Sequence, residues 1–378
     1  MIILYIAILL FLGYSFLIIY YWLSWQSIPE YILPANEPNT GLSIVIPARN
    51  EEKNIVGCMD SVCNQDYPPE LLQVIAIDDC STDKTWDLLR QFHFDGRQTN
   101  SVRLDEVENG EFSAHKKRAI ETGISMSLND VIVTTDADCK HPPAWLKTIA
   151  SFYEEKNAAI IAAPVALKNN SSLLQIFQAL DFLVLQGITG ASVHKKIHSM
   201  CNGANLAYEK SVFNDVNGFS GIDNIASGDD MLLMHKIGRK YPKRVHYLKS
   251  KKAIVSSQPM QTWKDFFNQR IRWSSKARFY DDKRIFWVLT LVYLFNLSFF
   301  ALLIAGCWVH ILWMYAAILW LAKTIVELPF VYSVARFFDQ TSLIKYFFFF
   351  QPLHIAYTVV AGLFGQFGKY EWKGRRVK

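Results

Sequence analysis

Two long apolar segments, one at each end, constrain the fold of this chain more than any other feature. Residues 1–23 carry no charged side chain, and most of residues 286–368 is apolar. A membrane-spanning helix needs roughly 20 consecutive apolar residues, so both segments are long enough to cross a bilayer. We therefore predict transmembrane helices at both ends and a soluble domain between them.

Residues 1–25 are predicted to form a retained N-terminal anchor, and residues 26–41, rich in Pro, Asn and Glu, a linker. A cleaved signal peptide is the alternative. It would need a basic region before the apolar stretch, and this sequence has none there. Tyr20, Tyr21 and Trp22 instead match the aromatic belt of a membrane interface.

Residues 285–368 are predicted to hold C-terminal transmembrane and interfacial helices, and residues 369–378 form a basic tail. Basic flanks mark the cytoplasmic side of a membrane, so we expect an integral membrane protein whose soluble domain faces the cytoplasm. The C-terminal block then crosses an even number of times, which two crossings plus an interfacial segment at residues 346–365 satisfy. No nucleic-acid-binding motif accompanies the basic residues, so nucleic acid is not an expected partner.

Several functional classes lack their sequence signatures. The chain has no G-x-x-x-x-G-K-[ST] loop, no G-x-S-x-G elbow and no G-x-G-x-x-G. These absences argue against a P-loop NTPase, an α/β-hydrolase and a dinucleotide-binding enzyme. The six cysteines form no CxxC pair and are expected to be reduced thiols of a cytosolic domain.

Short apolar stretches alternate with helical patterns in the middle of the chain. Residues 42–47, 72–77, 130–134 and 158–166 are predicted to be buried strands. This alternation is typical of a doubly wound α/β fold with a parallel sheet, and we predict one catalytic domain over residues 42–260. In such a sheet, ligands bind just beyond the carboxyl ends of the strands.

Two acidic motifs directly follow predicted strands, at the edge where ligands are expected. Asp136 and Asp138 can share one crevice, and Mg²⁺ or Mn²⁺ prefers such oxygen ligands together with phosphate oxygens. Asp79, preceded by Asp78, is positioned to accept hydrogen bonds from a ribose hydroxyl or a base. Each motif also has a simpler interpretation, a turn of solvated acids for the first and helix capping for the second.

A third acidic motif and a lysine complete the candidates in the middle of the chain. Asp229 and Asp230 precede a predicted helix. A carboxylate beside an acceptor hydroxyl can act as a general base, an effect of roughly 10²–10⁴-fold, and helix capping is the alternative. Lys116, on a helix predicted at residues 114–127, is a candidate phosphate contact, although an exposed helix face is the commoner place for a lysine.

The most specific pattern is Gln-x-x-Arg-Trp, formed by Gln269, Arg272 and Trp273 within a predicted interfacial helix at residues 261–284. An arginine can pair bidentately with a diphosphate, and a tryptophan can form an aromatic floor for a sugar ring. The alternative is an amphipathic helix whose Arg and Trp side chains lie at the level of the lipid headgroups.

In this order, the motifs resemble those of the membrane-bound family 2 glycosyltransferases. That group includes polysaccharide synthases, ceramide glucosyltransferases and bacterial lipid or carotenoid glycosyltransferases. The resemblance covers roughly residues 42–276. The matching segments are residues 43–52 (SIVIPARNEE), Asp78-Asp79-x-Ser81-x-Asp83, Asp136-Ala137-Asp138, Asn202-Gly203-Ala204-Asn205, Gly228-Asp229-Asp230 and Gln269-x-x-Arg272-Trp273.

The resemblance implies a GT-A fold, a sugar-nucleotide donor, a divalent metal and inversion at the anomeric carbon. It implies that Asp79 contacts the uridine, Asp136 the nucleotide-sugar and Asp138 the metal, with Asp230 as the general base. The residues implied in donor binding are Pro47, Asn50, Glu51, Asp79, Lys116 and Asp136. The residues implied at the diphosphate and the acceptor end are Gln269, Arg272 and Trp273.

Two departures from the family pattern bear on the function. The family often has Glu-Asp where this chain has Asp229-Asp230, which leaves the role of Asp229 open. The chain is also shorter than the polymer synthases and has fewer membrane segments. We therefore expect a membrane-anchored enzyme that moves a sugar from a UDP-sugar to an acceptor hydroxyl on a lipid or a glycan. A processive polysaccharide synthase is the alternative, and a catalytically silent membrane scaffold is the less favoured one.

Overall fold

The structure is a computed structural model of the 378-residue chain. It describes residues 1–107, 114–168, 172–197, 200–225, 227–276, 282–367, 370–372 and 375–377. Part of the predicted interfacial segment (residues 277–281) and part of the predicted basic tail (residues 369, 373, 374 and 378) lie outside the described residues. The chain forms two compact units: a helical unit of Met1–Ile28, Asn169–Ser192 and Pro259–Lys378, and a sheet unit of Pro29–Lys168 and Val193–Gln258.

The sheet unit consists of short strands that alternate with helices. Its strands are β1 (Leu42–Ala48), β2 (Leu72–Asp78), β3 (Gln98–Arg103), β4 (Val131–Thr134), β5 (Ile160–Ala162), β6 (Val165–Leu167), β7 (Leu206–Glu209), β8 (Val245–Tyr247) and β9 (Val255–Ser257). Its helices are α2 (Ile55–Cys63), α3 (Thr85–Gln91), α4 (Leu104–Val107), α5 (His115–Ser125), α6 (Trp145–Lys156), α8 (Lys210–Asp215) and α9 (Met231–Lys240).

Seven of these strands form one mixed sheet in the order β3-β2-β1-β4-β7-β5-β8. Strands β1 to β4 pair in parallel, whereas β7 runs antiparallel to both β4 and β5. The α/β prediction is confirmed, but the expectation of an all-parallel sheet is corrected by β7. The four residues of β7 (LAYE) were missed because they contain too short an apolar stretch to predict a strand.

The predicted strands at residues 42–47, 72–77 and 130–134 are confirmed as β1, β2 and β4. In β1 every residue except Pro47 is buried, and β2 is buried throughout, which is why apolar residues predominate in both strands. The strand predicted at residues 158–166 is divided into β5 and β6 around Pro164, which has no N–H for a sheet hydrogen bond. Strand β6 pairs with β9 in a separate two-stranded sheet.

The helical unit contains most of the apolar sequence. Its helices are α1 (Ile2–Gln26), α7 (Leu173–His194, which ends in the sheet unit), α10 (Trp263–Ser274), α11 (Lys283–Ala305), α12 (Ile311–Phe337) and α13 (Phe347–Phe367). A short antiparallel pair, β10 (Tyr370–Trp372) and β11 (Arg375–Val377), follows them.

Five helices in the described part of the chain are long and apolar enough to cross a membrane. They are Ile2–Gln26, Leu173–His194, Lys283–Ala305, Ile311–Phe337 and Thr341–Gly365. In Leu173–His194, 83% of the apolar window is buried, compared with 22% to 33% in the others. Helix α7 is therefore a packed helix, whereas the other four expose apolar side chains as lipid-facing helices do.

Helix α12 continues through Pro329 to Phe337. Its two buried charges satisfy each other, because Lys323 Nζ lies 2.7 Å from Glu327 Oε1. Gln351 of α13 joins them, accepting from Lys323 at 2.6 Å and donating to Glu327 at 2.5 Å. This network explains how strongly polar side chains are accommodated between α12 and α13.

Candidate active site

The acidic motifs of the sheet unit follow the carboxyl ends of neighbouring strands. Asp78 ends β2, and the N–H of Asp79 donates to the Ala48 carbonyl at 2.8 Å, which keeps Asp79 beside the end of β1. Asp136 follows β4 by two residues. Because β7 is antiparallel to β4, with Leu206 opposite Thr134, the turn that precedes β7 lies at this same edge.

Lys116, in the first turn of α5, joins two of the acidic motifs. Its Nζ lies 2.7 Å from Asp136 Oδ1 and 3.0 Å from Asp229 Oδ2. Burial alone would lower the pKa of Lys116, but the carboxylates of Asp136 and Asp229, and then of Asp230, raise it well above its ordinary value. The ammonium is therefore charged at physiological pH. The structure thus brings together the predicted residues Lys116, Asp136 and Asp230.

Asp230, at the start of α9, accepts hydrogen bonds from two backbone N–H groups. Its Oδ1 accepts from the Met231 N–H at 2.7 Å, and its Oδ2 accepts from the Gly203 N–H at 3.3 Å. The capping interpretation is therefore correct for this residue, and capping orients the carboxylate. A Cβ at Gly203 would lie 3.0 Å from Asp229 Oδ2 and 3.4 Å from Lys116 Nζ. Glycine at 203 thus allows the turn before β7 to approach the charged cluster closely.

Asp138 is oriented by the end of β9. Its Oδ2 accepts a hydrogen bond from Ser257 Oγ at 2.9 Å, and its side chain is partly exposed. Two thiols lie near it, those of Cys58 and Cys139. Burial, then the carboxylates of Asp138 and Asp136, raise the pKa of both thiols well above the ordinary value, so both groups are neutral thiols at neutral pH.

The donor atoms at this edge suit a hard cation. In the described residues, no group of three or more His, Cys, Asp or Glu side chains is arranged to hold a metal ion. Mg²⁺ and Mn²⁺ do not need such a group, because they commonly take one or two carboxylates and complete their coordination with water and substrate phosphates. The carboxylates of Asp136, Asp138, Asp229 and Asp230 outnumber the ammonium of Lys116, so the residues present fit a divalent cation bound with a diphosphate.

Asp79 lies beside His115, the first residue of α5. His115 Nδ1 is 3.2 Å from Asp79 Oδ1, within ion-pair distance but without hydrogen-bond geometry. Arg49 Nη1 donates to the Asp79 and Cys80 carbonyls at 2.6 and 2.8 Å and so fixes this turn. His115 and Arg49 were not singled out in the sequence, although His115 immediately precedes Lys116.

Asn50 and Glu51, predicted donor-site residues, connect the turns that follow β1 and β2. Asn50 has a positive φ of 50°, and its Oδ1 accepts from the Thr82 N–H at 2.8 Å. The N–H of Glu51 donates to Thr85 Oγ1 at 2.7 Å. Pro47 lies opposite Ile77 in the β1–β2 pairing. These contacts give the three residues a structural role at the edge of the sheet.

Lys117 is a further residue that the sequence did not single out. Its side chain is 2% exposed, and its Nζ donates to the carbonyls of Ile222, Ile225 and Ser227 at 2.5, 2.7 and 3.0 Å. This segment immediately precedes Gly228, Asp229 and Asp230. Two adjacent lysines of α5 therefore hold the Asp229–Asp230 motif: Lys116 contacts the Asp229 carboxylate, and Lys117 binds the backbone that precedes the motif.

Gln269, Arg272 and Trp273 lie on α10, in the helical unit. Gln269 Oε1 accepts from Arg270 Nη1 at 3.1 Å. Trp273 is half-buried, with its ring centroid 6.2 Å from that of Phe182 on α7. The structure has a helix, α10, within the segment predicted to be interfacial, and the predicted functional side chains on α10 belong to a different unit from the acidic motifs.

Comparison with known proteins places the chain in a family. The model of Glycosyl transferase family 2 matches residues 43–216. The model of Glycosyl transferase family group 2 matches residues 131–364, and this second match covers more than half of the chain. A mannosyltransferase structure, PcManGT from Pyrobaculum calidifontis in complex with GDP-Man and Mn²⁺, has a TM-score of 0.60 at 18% identity. That likeness covers 97% of this chain and 99% of the mannosyltransferase, and it defines the fold as GT-A.

The curated relatives match over only part of their length. The probable glycosyltransferase YdaM of Bacillus subtilis (strain 168) is 25% identical over 237 residues, 62% of this chain and 54% of YdaM. An undecaprenyl-phosphate 4-deoxy-4-formamido-L-arabinose transferase of Serratia proteamaculans (strain 568) is 25% identical over 160 residues, 42% of this chain and 47% of the relative. This chain therefore spans about half the length of these relatives. From the family matches, the chain belongs to the family 2 glycosyltransferases.

Proposed function

We propose that this protein transfers a sugar from a UDP-sugar to an acceptor hydroxyl at a membrane, with inversion at the anomeric carbon. The observation that carries the proposal is the contact of Lys116 with Asp136 and Asp229, next to Asp230, at the carboxyl edge of a GT-A sheet. Membership of family 2 supports sugar transfer as the reaction class.

Asp230 is the proposed general base. Its carboxylate takes the proton of the acceptor hydroxyl as the acceptor oxygen bonds to the anomeric carbon. The bond from that carbon to the diphosphate breaks at the same time, and UDP leaves with the bonding electrons. The two backbone donors that hold Asp230 keep it in one orientation, which supports its use as a positioned base.

Lys116 is proposed to face the diphosphate, where its ammonium offsets negative charge. Asp138 is proposed to hold Mg²⁺ or Mn²⁺, and Ser257 orients Asp138 for this. Asp136 is proposed to contact the nucleotide-sugar. When bound, the ion neutralises charge on the departing diphosphate. The Mn²⁺ in the mannosyltransferase complex supports a divalent ion on this fold.

Asp79 is proposed to bind the uridine, with His115 beside it and with Pro47, Asn50 and Glu51 completing the donor site. Gln269, Arg272 and Trp273 are proposed to hold the diphosphate and the acceptor end of the site. The mannosyltransferase complex contains GDP-Man, so UDP and GDP should be compared directly in binding experiments.

The acceptor is proposed to be a membrane lipid or a lipid-linked glycan, with the sheet unit on the cytoplasmic side. The four exposed apolar helices support membrane anchoring. Phe16 is exposed on α1 and Trp287 on α11, and Trp308 is exposed in the turn that follows α11. The name of the Serratia relative, a transferase that acts on undecaprenyl phosphate, supports a lipid-linked acceptor.

The decisive experiment replaces Asp230 with asparagine in the full-length protein in detergent or nanodiscs. Sugar transfer should fall by roughly 10²–10⁴-fold while UDP still binds. Asp215→Asn, which changes an exposed carboxylate of the same unit, is the control and should retain wild-type activity. Retained turnover in Asp230→Asn would reject Asp230 as the base, and loss of UDP binding would indicate a structural role.

Two other functions remain as outcomes of the same assays. A ladder of oligomeric products would support the processive polysaccharide synthase. A silent scaffold would give no transfer with any donor, and its affinity for UDP would not change when EDTA removes divalent metal.

A further inference from the structure

A buried ion pair connects α7 with α10 in the helical unit. Arg270 Nη2 lies 2.6 Å from Asp181 Oδ2, and the two side chains are 4% and 2% exposed. Tyr357 of α13 donates its hydroxyl hydrogen bond to Asp181 Oδ1, and His354 Nε2 lies 3.9 Å from that oxygen. Side chains from three helices therefore meet at one carboxylate.

Arg270 also contacts two residues of the Gln-x-x-Arg-Trp motif. Its Nη1 donates to Gln269 Oε1 at 3.1 Å. Its guanidinium carbon lies 4.3 Å from the ring centroid of Trp273 and 4.9 Å from that of Phe266. Such distances allow cation–π attraction, and the i+3 and i−4 spacing puts both rings on the same helix face as Arg270. The guanidinium thus fixes the Trp273 ring from one side, while Phe182 packs against it from α7.

A buried ion pair is a poor device for stability alone, because both charges lose their hydration, and apolar residues of the same shape often stabilise a fold as well. Its distinctive contribution is geometry. The guanidinium is a planar fork of donors, so a carboxylate that accepts from one arm sets the orientation of the whole group. At this place, that orientation determines where Trp273 and Gln269 lie.

We propose that Asp181 and Arg270 are positioning residues for the Gln-x-x-Arg-Trp motif. Asp181 holds the guanidinium of Arg270, which fixes the Trp273 ring and the Gln269 amide in the geometry that receives the sugar and the diphosphate. This inference rests on the proposed function, in which Gln269, Arg272 and Trp273 contact the diphosphate and the acceptor end. It adds two residues that do not themselves touch substrate.

The kinetic test uses Asp181→Asn, which keeps the size of the side chain but removes its charge, and Arg270→Met. Each should lower kcat by roughly 10²-fold, the effect expected of a misplacement of about 1 Å. In a Trp273→Phe background, Arg270→Met should add little further loss, because both changes remove the same contact. Full additivity would assign Arg270 a separate structural role.

A second measurement does not depend on activity. Protein labelled with fluorotryptophan gives fluorine NMR resonances, and Trp273→Phe identifies the resonance of Trp273 among those of the 11 tryptophans. Asp181→Asn and Arg270→Lys should shift or broaden that resonance. Asp282→Asn and Arg284→Met, which break an exposed Asp–Arg pair with a 2.7 Å separation, are the matched controls and should leave it unchanged.

The outcomes separate the inference from the proposed function. An unchanged Trp273 resonance in both Asp181→Asn and Arg270→Lys would overturn the inference, whether or not the wild-type protein transfers sugar. Absence of transfer by the wild-type protein with every nucleotide-sugar would instead reject the proposed function. Arg270→Lys keeps the positive charge beside Asp181, so it tests the planar geometry of arginine in a variant that retains the buried pair.

Discussion

Replacement of Lys116 by methionine tests the charge balance of the candidate site. Methionine has a similar length but no ammonium, so Asp136 and Asp229 lose the group that lies 2.7 and 3.0 Å from them. Removal of one partner from a buried ion pair typically costs about 3–5 kcal/mol. The Lys116 and Asp136 side chains are 22% and 36% exposed, and solvent screens part of this interaction, so we expect a loss of about 2–3 kcal/mol.

For a unit of this size, that loss corresponds to a decrease in the midpoint of thermal unfolding of roughly 4–12 °C. The sign of the pH dependence follows from the raised pKa of Lys116. Its stabilising effect is fully present below the ordinary lysine pKa of about 10.4 and is lost only as pH rises through the folded-state pKa. The deficit of Lys116→Met should therefore be constant across the neutral pH range.

The assay is thermal unfolding of purified protein in detergent, followed by intrinsic fluorescence, with sugar transfer measured in parallel. The double variant Lys116→Met/Asp229→Asn should recover part of the stability, because one uncompensated carboxylate is removed, but it should not recover transfer. Lys240→Met, which breaks an exposed lysine–aspartate pair at 2.7 Å, is the matched control and should unfold like the wild type. Equal unfolding temperatures for wild type, Lys116→Met and the double variant would refute the electrostatic reasoning.

Three further predictions concern the same unit. Gly203→Ala should reduce transfer and lower stability by about 1–3 kcal/mol, because the added Cβ would lie only 3.0 Å from Asp229 Oδ2. A variant with the kinetics and the unfolding temperature of the wild type would contradict this close approach. Ser257→Ala removes the hydrogen bond to Asp138 and should weaken the affinity for Mn²⁺ by roughly 10–100-fold. This affinity is measured from the metal dependence of transfer, and an unchanged Mn²⁺ requirement would refute the role of Ser257. Burial lowers the pKa of His141 to about 3, so its contribution to stability is present above the ordinary pKa of about 6.5 and is lost as pH falls towards the folded-state value. Unfolding curves at decreasing pH should therefore show a shallower loss in His141→Gln than in wild type, and parallel curves would exclude His141 as the cause.

The local sequence was sufficient to predict the strands that are buried on both faces. Strands β1 and β2 are covered on both faces, so apolar residues predominate in them and predict strands directly. Strand β3 (QTNSVR) is at the sheet edge and partly exposed, so its polar sequence gave no such indication. Helix α12 passes through Pro329, where the local sequence alone would predict that the helix ends or kinks.

For the candidate site, sequence alone determined which residues carry charge and that Asp79 and Asp136 follow strands. It left the role of Asp229 open and gave no partner for Asp181, Lys117 or Arg270. Those partners are distant in the chain, and their meeting depends on strand order, on the reversed direction of β7 and on helix packing, which no local propensity encodes. Only the tertiary structure decided that Lys116 lies between Asp136 and Asp229, because a salt bridge forms where the folded backbone brings two charges within about 4 Å of each other.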